Sequence, residues 1–150
     1  MKIQLLAIAA AVALLPTIAG AQSAPKQKSL YDRLGGKQAI TAVVDEFVGR
    51  VAADNRINHF FAATASNPAQ LSSFKMKLVD QICEASGGPC KYTGKDMKTA
   101  HRGMVIATAD FNALVEDLVG ALDKFKVGEA EKSQLLSVLG PMQGQIVEKK

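Results

Sequence analysis

The chain has no tryptophan, only two cysteines and two histidines, and 5% aromatic residues across its 150 positions. Its histidines and cysteines form no Ser/His/Asp or Cys/His signature, and no acidic cluster carries metal-ligand spacing. The glycine doublets Gly35-Gly36 and Gly87-Gly88 fall at helix ends, where they reverse the chain, and neither has the pattern of a phosphate cradle. Catalysis by side chains alone is therefore poorly served. Alternating strand patterns are absent throughout. The net charge of +4 is carried largely by Lys2, Lys26, Lys28, Lys149 and Lys150 at the chain ends. The body of the chain is near neutral, which argues against a nucleic-acid partner.

What is present begins with an address. Lys2 precedes an apolar stretch from Ile3 to Ile18, and Ala19-Gly20-Ala21 offers the small-x-small pattern of a signal-peptidase site. Pro16 interrupts a run that otherwise approaches a short membrane span. The expectation is cleavage of residues 1–21 and export, to the periplasm in a Gram-negative cell, with no stable membrane insertion afterwards. Residues 22–28 read as a polar tail. With the tail, the chain left after cleavage has 150 − 21 = 129 residues, the size of one domain with one core.

That domain reads as all-α. Ile40, Val43, Val44, Phe47, Val48 and Val51 recur at helical steps, and Asp54-Asn55 closes the segment. A short turn holds Ile57, His59, Phe60 and Phe61, with His59 expected to face solvent. Asn67-Pro68 is a capping side chain followed by proline in the first turn. The helix it opens presents Leu71, Phe74, Leu78 and Ile82, with Met76 expected at a helix interface, and Gly87-Gly88-Pro89 stops it. One or two turns around Met97 to Gly103 carry His101. Thr108 is the expected cap of a helix with Phe111, Leu114, Val115, Leu118, Leu122 and Phe125 on its apolar face. A last helix is bounded or kinked by Pro141. Cys83 and Cys90 straddle a helix end, and their spacing alone leaves a bridge and two free thiols equally open.

A lone histidine in a helical protein is more often structural than a ligand. The ordered landmarks around His101 change that weight. Leu30-Tyr31-Asp32-Arg33-Leu34-Gly35-Gly36, Phe60-Phe61, Gly87-Gly88-Pro89, Tyr92-Thr93-Gly94, Met97-Lys98 and His101 through Ile106 together resemble a truncated haemoglobin, of the first, compact group. The resemblance spans residues 29–148. It implies a shortened globin fold, a two-over-two helical sandwich, holding haem b without a covalent bond, and the absence of Cys-x-x-Cys-His agrees with that. It also implies His101 as the proximal iron ligand, since imidazole holds haem iron well. Phe61 matches the aromatic wedge against the porphyrin, and Met97, Ile106, Phe111 and Val115 match the proximal side and haem edge.

The ligand-facing side departs from the family pattern. Where the family commonly has Phe-Tyr, this chain has Phe47-Val48. Counting back from Gly87-Gly88 places Phe74 and Leu78 where a polar residue is usual. Val48, Phe74 and Leu78 carry no side-chain donor, so a partly anionic ligand lacks a hydrogen bond of about 1.5–3 kcal/mol. Fast oxygen release and autoxidation are expected. Lys77 stands where some relatives place a sixth ligand, although a solvated lysine or a propionate partner is the plainer reading.

The expected function is reversible binding of O2, NO or CO, in gas handling or sensing, with an electron-donating reductase as a further expected partner. A haem peroxidase or NO dioxygenase finds little support in an apolar distal side. An interaction module that has abandoned haem would have no chemical need for His101.

Overall fold

The computed structural model describes residues 27–149, and the leader expected over 1–21 and most of the expected tail lie outside them. Eight α-helices are described: α1 Leu30–Arg33, α2 Gly36–Ala53, α3 Ala62–Ala65, α4 Pro68–Ala85, α5 Met97–His101, α6 Thr108–Lys124, α7 Glu129–Leu139 and α8 Gln143–Ile146. Short 3-10 turns cover Asn58–Phe61 and Gly140–Met142. Among the described residues the β structure is a single parallel bridge between Ala107 and Lys149. The fold is the all-α, two-over-two sandwich.

Local chemistry sets the helix ends. Ser29 and Asp32 form a reciprocal capping box at α1. Asn67 accepts from the backbone N–H of Ala69 and Gln70 at the start of α4, and Pro68 occupies the first turn. Gly35 turns the chain between α1 and α2 at φ +95, where a Cβ would lie 2.8 Å from that of Ala39. Proline at 141 interrupts the last helical run with a 3-10 turn. The cap expected at Thr108 falls one residue earlier, on Ala107, because Asp110 reaches back to the Ala107 N–H at 2.8 Å.

α2 is the central element and packs on both α4 and α6. Its Ile40, Val43, Val44, Phe47 and Val51 are buried against Val79, Ile82 and Cys83 of α4 and Leu118, Ala121 and Leu122 of α6. Burying each large aliphatic side chain contributes roughly 1.5–3 kcal/mol. Leu135 brings α7 into the same core. Two expectations fail at helix surfaces. Met76 is 60% exposed rather than interfacial, since the α4 stripe runs through Leu71, Phe74 and Leu78 on another face. Phe125 follows the last turn of α6 and is 46% exposed.

Cys83 and Cys90 form a disulfide. The Gly88 N–H donates to the Cys83 carbonyl at 2.8 Å, folding the chain back so that the two thiols meet. A Cβ on Gly88 would lie 2.5 Å from Tyr31 and 2.7 Å from Cys83 Sγ, so the turn needs glycine there. The bridge ties the end of α4 to the loop that leads into α5.

Candidate functional site

His101 is the last residue of α5, a helix of five residues. Asp96 caps it by accepting from the Thr99 N–H at 2.9 Å, and hydrogen bonding to the Thr99 side chain, then to its backbone, holds the Asp96 carboxyl below its usual range. The half-buried His101 ring places Nδ1 2.7 Å from the Met97 carbonyl oxygen. A carbonyl only accepts, so Nδ1 carries the proton and donates. Nε2 is left with its lone pair, the state in which imidazole ligates a metal. Among the described residues no group of three His, Cys, Asp or Glu side chains is placed to hold a bare metal ion. A metal at His101 therefore has to arrive with its other ligands.

The loop after His101 is held from the far end of the chain. The Glu148 carboxylate accepts from the Gly103 N–H at 2.8 Å and the Val105 N–H at 2.7 Å. Those two bonds keep its pKa below the usual carboxylate range. The Glu148 and Lys149 N–H groups both donate to the Ile106 carbonyl, and Thr108 N–H donates to that of Lys149.

A cavity of about 510 Å³ opens between α2, the turn before α3, and α4. Phe47, Val48, Phe61 and Phe74 line it, with Gly49 and Leu71. The Phe61 and Phe74 rings lie 5.8 Å apart, tilted by 51°. Lys75, also on its wall, pairs with Asp45 at 2.9 Å. Leu78 lies one turn beyond Phe74 on α4, half-buried against the core. Lys77 is exposed, as is His59.

The structure thus gathers four of the sequence-derived site residues around one cavity. Leu78, Met97, His101, Ile106, Phe111 and Val115 do not line it. Ile106 is buried, while Met97, Phe111 and Val115 are half-buried. Two residues escaped the sequence reading. Gln81 donates its amide to the Met97 sulfur at 3.4 Å and the Met142 sulfur at 3.5 Å, linking α4 to both. Its position three residues after Leu78 is the signal that could have found it. Glu148 had no such signal, because its partners lie more than forty residues away.

The residues fit a haem. Phe74, Met97, Phe111 and Val115 are neither exposed nor part of the packed core cluster. Half-covered apolar side chains of this kind suit a flat apolar group, and a haem bound here would find in the Nε2 lone pair of His101 the one protein ligand it needs.

Comparison with known proteins agrees. Residues 29–148 match the family of bacterial-like globins. A group 1 truncated haemoglobin of Mycolicibacterium paratuberculosis is 36% identical over 118 residues, covering 79% of this chain and 83% of that protein. One from Synechocystis is 35% identical over 118 residues, covering 75% and 90%. The crystal structure of the Tetrahymena pyriformis truncated haemoglobin in its Fe(III) form superposes with a TM-score of 0.73 at 30% identity, over 81% of this chain and all of that one. The chain belongs to the bacterial-like globins, as a group 1 truncated haemoglobin.

Proposed function

We propose that His101 Nε2 is the protein ligand of a haem b in this chain, and that ligands bind opposite it against an apolar surface. Haem binding and the capture of diatomic ligands come with the family. The haem, held without a covalent bond, supplies the iron at which such a ligand binds. The observation that carries the assignment is the His101 Nδ1–H bond to the Met97 carbonyl, which fixes the tautomer and aims Nε2 outward from α5.

This chain's own residues do the rest. Met97, Ile106, Phe111 and Val115 cover the proximal side and edge, while Phe47, Val48, Phe61, Phe74 and Leu78 exclude water from the ligand side. None of Val48, Phe74 and Leu78 donates a hydrogen bond, which favours rapid ligand exchange over oxygen storage. Lys77, exposed on α4, is a propionate partner in this reading rather than a sixth ligand. A reductase that returns the iron to the ferrous state is the natural protein partner.

The protein works outside the cytoplasm. The Lys2-to-Ala21 leader motivates that reading, and the Cys83–Cys90 disulfide supports it, because reducing compartments rarely keep structural disulfides. The test is spectroscopic. Haem-loaded wild type should show a sharp Soret band that His101→Ala greatly weakens. An unchanged spectrum in that variant would overturn the assignment.

A further inference from the structure

We propose that Glu148 is a positioning residue for the iron-binding histidine, acting through the loop 102–106. The inference rests on His101 as the ligand and extends it to the C-terminal segment.

The loop leaves α5 directly after His101 and reaches the buried Ile106, which the proposed haem site puts on the proximal side. Its backbone is not relaxed. Val105 holds φ +55, an outlier for a β-branched residue, and its side chain is 61% exposed, so no packing explains the conformation. Gly103 sits at φ +80 in the same loop. What holds the loop there is Glu148. One carboxylate takes the N–H of Gly103 on one oxygen and that of Val105 on the other. Converging backbone N–H groups of this kind form an anion-binding concavity, and here the anion belongs to the chain itself.

The tail is registered against the loop as well as bonded to it. The bonds to the Ile106 carbonyl, the Thr108 bond to Lys149 and the Ala107–Lys149 bridge fix how far along the tail Glu148 can sit. Packing of α5 against α8 carries the same constraint to the helix that bears His101. Strain held in a loop beside a ligating residue is retained only where the surroundings over-determine it. Released, the loop relaxes toward ordinary φ values, and both His101 at its start and Ile106 at its end change position.

The full chain is loaded with haem as wild type, Glu148→Ala and Glu148→Gln. Two quantities are read: the iron–histidine stretching frequency of the ferrous form by resonance Raman, and the rate of haem transfer to an excess of scavenging apoglobin. Glu148→Ala should shift the stretching band and speed haem loss about tenfold, the lower end for loss of an outer partner of a metal ligand. Glu148→Gln keeps one acceptor oxygen but sets an NH2 against the other N–H, and should fall between. Arg33→Ala breaks the Arg33–Glu131 pair between α1 and α7, so it should reduce thermal stability without moving the band. A Glu148→Ala band and transfer rate equal to wild type would overturn the proposal, as would an equal band shift in Arg33→Ala. A wild-type spectrum with no iron–histidine band would instead fail the ligand assignment itself.

Discussion

Nδ1 of His101 lies 2.7 Å from the carbonyl oxygen of Met97, one helical turn earlier. The bond is internal to α5, so the histidine is aimed only as well as that helix is formed. Five residues do not hold a helix alone, since nucleation costs more than so few bonds return. With His101 as the proposed iron ligand, the Asp96 cap matters to the iron as well as to the fold. Asp96→Ala should remove about 1 kcal/mol of local stability and speed haem loss about fivefold. Haem transfer to an apoglobin measures this, and an unchanged rate would mean the aim of His101 is set elsewhere.

Val48 lies on the cavity wall beside Phe61 and Phe74, with no donor among them. Val48→Tyr adds a hydroxyl on the proposed ligand side. A bond to a partly anionic ligand, worth about 1.5 kcal/mol or more, should slow oxygen dissociation about tenfold. Carbon monoxide carries little charge, and its dissociation should change far less. Stopped-flow displacement of each gas makes the comparison. Equal effects on both would point to steric blocking.

The Cys83–Cys90 bridge closes a short loop between α4 and the approach to α5. A ring of about eight residues contributes about 2–3 kcal/mol by restricting the unfolded chain. Replacing both cysteines with alanine should lower Tm by about 10 °C. Adding dithiothreitol should bring the wild type down to the same value and leave the variant unmoved. A wild type that unfolds identically with and without reductant would show that the bridge contributes nothing.

Chain reversals and helix starts were legible because their chemistry is local. Asn67-Pro68 and the two glycine pairs act within a few residues of themselves. So does Pro141. The order of motifs ending at His101 made the fold and the family readable as well. The disulfide was not, because it depends on how Gly88 folds the chain over Cys83, a matter of backbone direction that spacing does not encode. Met76 misled because an apolar residue between Lys75 and Lys77 satisfies composition without satisfying the face of α4. Glu148 was invisible for a different reason. Its two partners are backbone amides, which have no sequence signature at all.

Gly49 sits inside α2 with no neighbour within 4 Å of where a Cβ would project. A helix-interior glycine is unfavourable by about 0.5–1 kcal/mol relative to alanine, and neither its φ nor a close contact requires it here. Gly49→Ala should therefore raise stability by about that amount in denaturant unfolding. It lies on the cavity wall, so Gly49→Leu tests the same space by filling it. That variant should slow ligand rebinding after flash photolysis, because Val48 and Phe74 of the same wall belong to the proposed ligand side; unchanged rebinding would show that cavity and iron are separate.

Asp117 on α6 supplies the pH dependence. Its Oδ2 is buried without a hydrogen-bond partner. Burial raises its pKa first, and the charge of Asp54 at the end of α2 raises it further, with Glu116 adding to the effect while Arg56 and Arg50 oppose it. Asp54 is held low by its bonds to Arg56, so it keeps the negative charge and Asp117 retains its proton longer. The folded chain thus binds the Asp117 proton to higher pH than the unfolded chain, whose value is an ordinary 3.8. The stability this gives is fully present below that value and is lost as pH rises through the raised folded one. At neutral pH the ionised side chain is a net burden. Asp117→Asn should accordingly be more stable than wild type in urea at neutral pH, and the difference should vanish on acidification to about pH 3. Asp54→Asn should do the reverse at neutral pH, because it takes the charge from the Arg56 ion pair. An Asp117→Asn variant less stable than wild type at neutral pH would mean that the carboxylate is paired in solution and that its burial is compensated.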